Sequence, residues 1–114
     1  MSTESANTFL TIHIEHEGDE CIVHCSGSLV SGACSYLHKE VYPLIADTKR
    51  IVLDLADVGW VDSMGLGGLV RLHVVSKKNG CNLQLVNVGP RVKDLLELTN
   101  LLAVFGEIGE RGSA

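Results

Sequence analysis

Leu10, Ile12 and Ile14 alternate with polar neighbours, which predicts a half-buried strand, and Gly18-Asp19 sits where a turn is needed. A second alternation begins at Cys21. If Gly18-Asp19 is a two-residue hairpin loop, Ile14 faces Val23, Ile12 faces Cys25, and His13 and His24 oppose each other on the other face. Apolar residues then meet apolar residues across the pair, so register and pattern agree. Beyond Gly27, Ala33, Leu37, Val41, Leu44 and Ile45 recur at helical spacing, with Pro43 inside the stripe as a kink or a shortening. The run Ile51-Val52-Leu53 with Leu55 reads as a strand covered on both faces, and residues 57–62 read as a loop.

From Ser63, Leu66, Leu69, Val70, His73 and Val74 follow helical spacing, and Asn79-Gly80 supplies a stop. Residues 81–88 fit another strand. Gly89-Pro90 opens a helix with Val92, Leu95, Leu96 and Thr99 on its stripe. Residues 101–108 read equally as a last short helix or an edge strand. The order β-β-α-β-α-β-α predicts a small sheet with helices packed on it, in the α/β class. We expect a disordered tail at residues 1–8, one domain at 9–108 and a flexible tail at 109–114.

Composition narrows the function classes. Hydrophobic residues make up 46% of 114 positions, enough for one modest core. No apolar stretch is long enough to cross a bilayer, and residues 1–8 lack a basic secretory segment, so a cytoplasmic protein without membrane insertion is expected. The formal net charge is -5 and the basic residues are scattered, which argues against a nucleic-acid partner. Cys21, Cys25, Cys34 and Cys81 form no Cys-x-x-Cys pair and read as reduced, buried thiols.

The most informative segment runs from Ile51 to Leu69, where a strand ends and a helix begins at Asp62-Ser63, either of which can cap it. Gly65, Gly67 and Gly68 each cost a helix up to ~1 kcal/mol relative to alanine. Either something outside approaches this backbone, or the helix packs tightly on its own sheet. The Leu53-Asp54-Leu55 strand, the Asp62-Ser63-Met64-Gly65-Leu66-Gly67 helix start and the Asn87-Val88-Gly89-Pro90-Arg91-Val92 segment together resemble the STAS domain, specifically the stand-alone bacterial anti-sigma factor antagonists.

That resemblance implies a mixed sheet of four or five strands with about four helices, and a non-enzymatic protein that docks on an anti-sigma factor, often a serine kinase. It also implies partner switching, in which phosphorylation at the helix start blocks docking. The expected docking surface is Asp62, Ser63, Met64, Gly65, Leu66 and Gly67, with Ser28 and Ser31 beside it. The family's phosphoacceptor immediately precedes the glycine, and here that position is Met64, whose thioether accepts no phosphate; Ser63 is the substitute candidate. Val30 stands where many members carry an aspartate near the phosphosite. An alternative implied by the same fold is a STAS subunit of a lipid-transport ATP-binding-cassette complex that clamps its ATPase.

Catalytic readings are weaker. Ser63 lacks the glycine two residues before it that a nucleophile elbow needs, since Val61 stands there. The glycines fit neither a dinucleotide fingerprint nor a phosphate loop. No cofactor is expected. His13 and His24, with Glu15 nearby, have metal-binding chemistry, but on a solvated strand such residues are far more often ordinary surface groups, and no metal site is expected. His73 reads as a core or boundary histidine. Trp60 reads as an interface anchor or as a cap on the sheet edge.

Overall fold

A computed structural model describes residues 2–6, 9–101 and 105. Five strands and three helices follow the order β1 (Ser2–Ala6), β2 (Leu10–Glu17), β3 (Glu20–Leu29), α1 (Ser31–Asp47), β4 (Arg50–Val61), α2 (Ser63–Lys78), β5 (Asn82–Val86) and α3 (Pro90–Leu98). The sheet order is β1-β2-β3-β4-β5. The first three strands run antiparallel, and β3, β4 and β5 run parallel, so the sheet is mixed.

Hairpin register matches the alternation: Ile12 pairs Cys25, His13 pairs His24 and Ile14 pairs Val23. Gly18 takes φ 60°, a left-handed conformation that glycine adopts without a Cβ penalty, and so closes the two-residue loop. One continuous core joins Ile12, Val23, Leu53 and Leu85 of the sheet to Leu37 and Val41 of α1, Leu69 and Leu72 of α2, and Val92 and Leu96 of α3. All three helices therefore cover one face. On the opposite face Ile22, Val52 and Val86 form a small separate cluster. Ile51, Val52 and Leu53 are fully buried, as expected of a strand covered on both sides. Truncating Leu53 to alanine would cost about 2–5 kcal/mol in such a site.

Three expectations need correction. Residues 2–6 are not a disordered tail but an edge strand, Ser2–Ala6, hydrogen-bonded along β2 from Ser2↔Glu15 to Ala6↔Thr11. Backbone pairing to an open edge needs no apolar alternation, so Ser-Thr-Glu-Ser-Ala gave no pattern to read. Residues 57–61 are not a loop either, because β4 continues to Val61 alongside β3. Between His24/Ser26 and Gly27/Ser28 the register shifts, and each time β4 carries one more residue than β3. Those irregularities let Leu55, Val58 and Val61 all point into the core at a spacing of three, which no period-two search recovers.

Pro43, in turn, neither ends nor shortens α1, which runs on to Asp47. Pro43 and Lys39, the residue whose carbonyl loses its donor, both lie on the exposed side of the helix. Strand β5 and helix α3 fall within the expected ranges. Of residues 101–108 only Leu101 and Phe105 are described; Phe105 is helical and buried. The expected tail at 109–114 lies outside the described residues, as do residues 1, 7 and 8 of the expected N-terminal tail. Among the described residues no helix is long and apolar enough to cross a membrane.

Candidate functional site

Strands β3 and β4 end side by side, with Ser28 opposite Trp60 and Leu29 opposite Val61. Asp62 N–H donates to the Leu29 carbonyl at 3.2 Å, which holds the entry of α2 against the end of β3. Asp62 is the residue that caps α2: its Oδ1 accepts from Gly65 N–H at 2.8 Å, satisfying one of the free amides of the first turn. Ser63 thus stays uncommitted to capping and is exposed.

The three glycines of α2 separate into two roles. A Cβ on Gly65 would stand 2.0 Å from the Leu29 carbonyl oxygen, and one on Gly68 would stand 1.9 Å from Cys34 Sγ. Gly65 is therefore required by close packing on the backbone of β3, while Gly68 packs closely on α1 against a side chain that would have to turn aside. Gly67 faces the other way, is exposed, and would meet nothing within 4 Å. Internal packing bears on Gly65 and Gly68, and not on Gly67.

Residues expected on one docking surface divide accordingly. Ser63, Met64 and Gly67 face solvent together, with Met64 61% exposed. Gly65 and Leu66 do not: both are buried, Leu66 within the core, so they shape the surface from behind. Ser28 is half-buried at the end of β3, and Ser31 is the first residue of α1, which starts beside it. Val30 is the N-cap residue of α1 and offers no side-chain cap.

A neighbouring feature was not legible in the sequence. Trp60, 49% exposed, lies under the Arg91 guanidinium, with Cζ 5.5 Å from the ring centroid. Trp60, Val61, Arg91, Leu95 and Leu98 line a cleft of about 370 Å³ between the end of β4 and α3. Arg91 belongs to the Asn87–Val92 motif, but its contact with Trp60, far earlier in the chain, follows no local spacing rule. Trp60 therefore stacks on α3 while leaving half its surface open.

All four cysteines are free. Burial pushes the Cys25 thiol up to about 12, with the Asp54 carboxylate adding to it. Burial is also the largest cause raising Cys21, Cys34 and Cys81. At Cys34 the Arg71 charge works against that rise. Raised thiols are poor nucleophiles and poor metal ligands, which fits small apolar packing groups. His73 sits at the core boundary, its ring 5.2 Å from that of Phe105, and its Nδ1 is buried without a hydrogen-bond partner. Among the described residues no three His, Cys, Asp or Glu side chains stand in metal-binding geometry.

Comparison with known proteins places this architecture. The family model for the STAS domain matches residues 11–111. The chain is 26% identical over 92 residues to the anti-sigma-B factor antagonist of Bacillus subtilis (strain 168), covering 81% of this chain and 84% of that protein. Its fold superposes on a crystal structure of an anti-sigma factor antagonist from Mycobacterium paratuberculosis with a TM-score of 0.78, at 24% identity, covering 96% of this chain and 92% of that one. A sulfate transporter family protein from Wolinella succinogenes shares the fold with a TM-score of 0.74 at 20% identity, over 84% of this chain and 80% of that one. With a match across nearly its whole length, the chain belongs to the STAS domain family.

Proposed function

We propose that this protein is an anti-sigma factor antagonist that docks the start of α2 on an anti-sigma factor of the serine-kinase type, without being switched by phosphate at the usual position. The observation that carries the reading is Met64, 61% exposed at the family's phosphoacceptor position on the first turn of a capped helix. A methionine there keeps the surface permanently in its unmodified chemistry, and its flexible thioether adapts to an apolar partner contact. A phosphate at the same place would bring close to two negative charges into the interface, and desolvating them would cut occupancy by orders of magnitude. Gly67, exposed one turn on with open space around it, supports close approach of a partner backbone. The names of related antagonists, one of them 26% identical, support the class of partner.

The test is incubation with the cognate serine kinase and ATP, read by intact mass, with Met64→Ser as the positive control. The expected result is no phosphate on the wild-type protein, one on M64S, and loss of docking only for phosphorylated M64S. A stoichiometric phosphate on Ser63 that weakens docking would overturn the reading. The missing acceptor also favours a second reading, a STAS subunit of a lipid-transport ATP-binding-cassette complex, which needs no phosphate switch. An affinity pull-down separates the two: a kinase-like sigma regulator supports the first, a transporter ATPase the second.

A further inference from the structure

Helix α3 carries two stripes, and the core takes only one of them. Val92 and Leu96, one turn apart, are buried in the main core. Arg91, Asp94, Leu95 and Leu98 follow one another at the i, i+3, i+4 and i+7 spacing and share the neighbouring face. That face looks onto the end of β4, where Trp60 and Val61 complete a cleft of about 370 Å³. Leu98 is 82% exposed and Trp60 49%, so a large apolar group on each wall of the cleft is left in water. Exposed apolar side chains scattered singly are ordinary, but gathered along one concave surface they mark a binding site.

Two charged side chains stand in this lining, Arg91 and Asp94. The Arg91 guanidinium lies over the Trp60 ring, 5.5 Å from its centroid, which holds the cation at one side of the cleft. Stacking engages the flat face of the guanidinium and leaves its N–H donors, which lie in the plane, for a carboxylate. Among the described residues the ion pairs of lysine and arginine join Lys49 to Asp19 and Arg50 to Glu20. Arg91 is in neither pair, and Asp94, close by on the same helix, does not neutralise it by contact.

Asp94 also limits what that anion can be. Its charge stands one turn from Arg91, so a second negative charge on a ligand is repelled where the first is attracted. Phosphates and nucleotides, with two or more negative charges, are disfavoured there, while a single carboxylate on an apolar body is not. The volume lies at the lower end of the roughly 300–1,000 Å³ that ligand pockets span, which limits the body to a short chain or one ring system.

We propose that the cleft between the end of β4 and α3 binds a small amphiphilic monocarboxylate, with Arg91 holding the carboxylate and Trp60, Val61, Leu95 and Leu98 covering the apolar body. Two independent features carry it: an apolar stripe of α3 that the core leaves uncovered, and a guanidinium oriented beside it without a carboxylate partner. The inference is independent of the proposed function, because neither Met64 nor Gly67 takes part.

Trp60 is the only tryptophan of the chain, so its fluorescence reports on the cleft directly. Decanoate is titrated into the purified full chain below its micelle concentration, with decanol, decylammonium and GTP run beside it and the melting temperature recorded for each. The expected result is a saturable change in Trp60 emission with decanoate, accompanied by a higher melting temperature. Decanol, decylammonium and GTP bind at least about 10-fold more weakly. Arg91→Gln weakens decanoate about 10-fold and leaves decanol unchanged, whereas Leu98→Ser weakens both. Both side chains are exposed, and the melting temperature of each ligand-free variant reports whether it folds. The absence of a saturable response to decanoate would overturn the proposal. So would decanol binding as tightly as decanoate, which would reduce the cleft to an apolar surface, or GTP binding more tightly, which would make it a polyanion site. Decanoate affinity unchanged in R91Q would overturn the role given to Arg91.

Discussion

Gly65 and Gly67 lie two residues apart in one helix and face opposite demands. At Gly65 a methyl group would meet a backbone carbonyl oxygen at 2.0 Å, and backbone cannot step aside as a flexible side chain can. Gly65→Ala must push the start of α2 off β3 and is expected to cost about 1–3 kcal/mol. At Gly67 nothing lies within 4 Å, so Gly67→Ala gains helix propensity and raises stability by up to ~1 kcal/mol. The order reverses for function if α2 is the docking surface, because Gly67→Leu fills space that the partner needs and should weaken docking at least about 10-fold. Urea denaturation of G65A and G67A, with the affinity of G67L for its partner, reads all three. Equal stability losses for G65A and G67A would show that both glycines serve internal packing.

At the scale of elements, the junction between β4 and α2 rests on Asp62, which is both the last link to β3 and the cap of the helix. Asp62→Ala removes the side-chain acceptor and is expected to cost about 1 kcal/mol. In a domain of this size that lowers Tm by about 5 °C, whereas Asp62→Ser keeps an acceptor and most of the stability. A thermal melt of the two variants checks the difference, and equal losses would mean that Asp62 acts through something other than its cap.

The sequence offers both Asp62 and Ser63 as caps, and only three-dimensional placement chooses between them. Elements whose pattern is local were legible in just this way: the β2–β3 register follows from a two-residue loop and apolar alternation, and the stripes of α1, α2 and α3 follow from their period. Illegible were features set by pairing with distant chain. The continuation of β4 depends on two register shifts against β3, and β1 depends only on the open edge of β2. In the candidate site the identity of the exposed trio was readable in part: Met64 and Gly67 stood out by type, while the inward turn of Gly65 and Leu66 and the stacking of Arg91 on Trp60 required the fold.

For the molecule as a whole, the buried thiols make stability depend on alkaline pH. Cys25 sits in the middle of β3 within the main core, its thiol raised from about 9 to about 12 by burial first and by Asp54 second. In the unfolded chain the thiol ionises near its ordinary value, while in the native protein it stays protonated to much higher pH. Between those two values the native state binds more protons than the unfolded state. The slope of unfolding free energy with pH is then negative, and stability falls as pH rises, by up to about 1.4 kcal/mol per pH unit for one such thiol. Below the ordinary thiol range both states hold the proton and the effect vanishes. Cys21 and Cys81 are raised in the same direction, again chiefly by burial, and add to the slope. Cys25→Val fills the site with an apolar group of similar size and removes one titrating proton from the balance. Urea denaturation of wild type and C25V from about pH 8 to about pH 10 should therefore show both proteins losing stability, with the variant losing it more slowly. Parallel losses would mean that the native thiol ionises as readily as the unfolded one, and that the sheet interior at Cys25 admits a charge that its burial argues against.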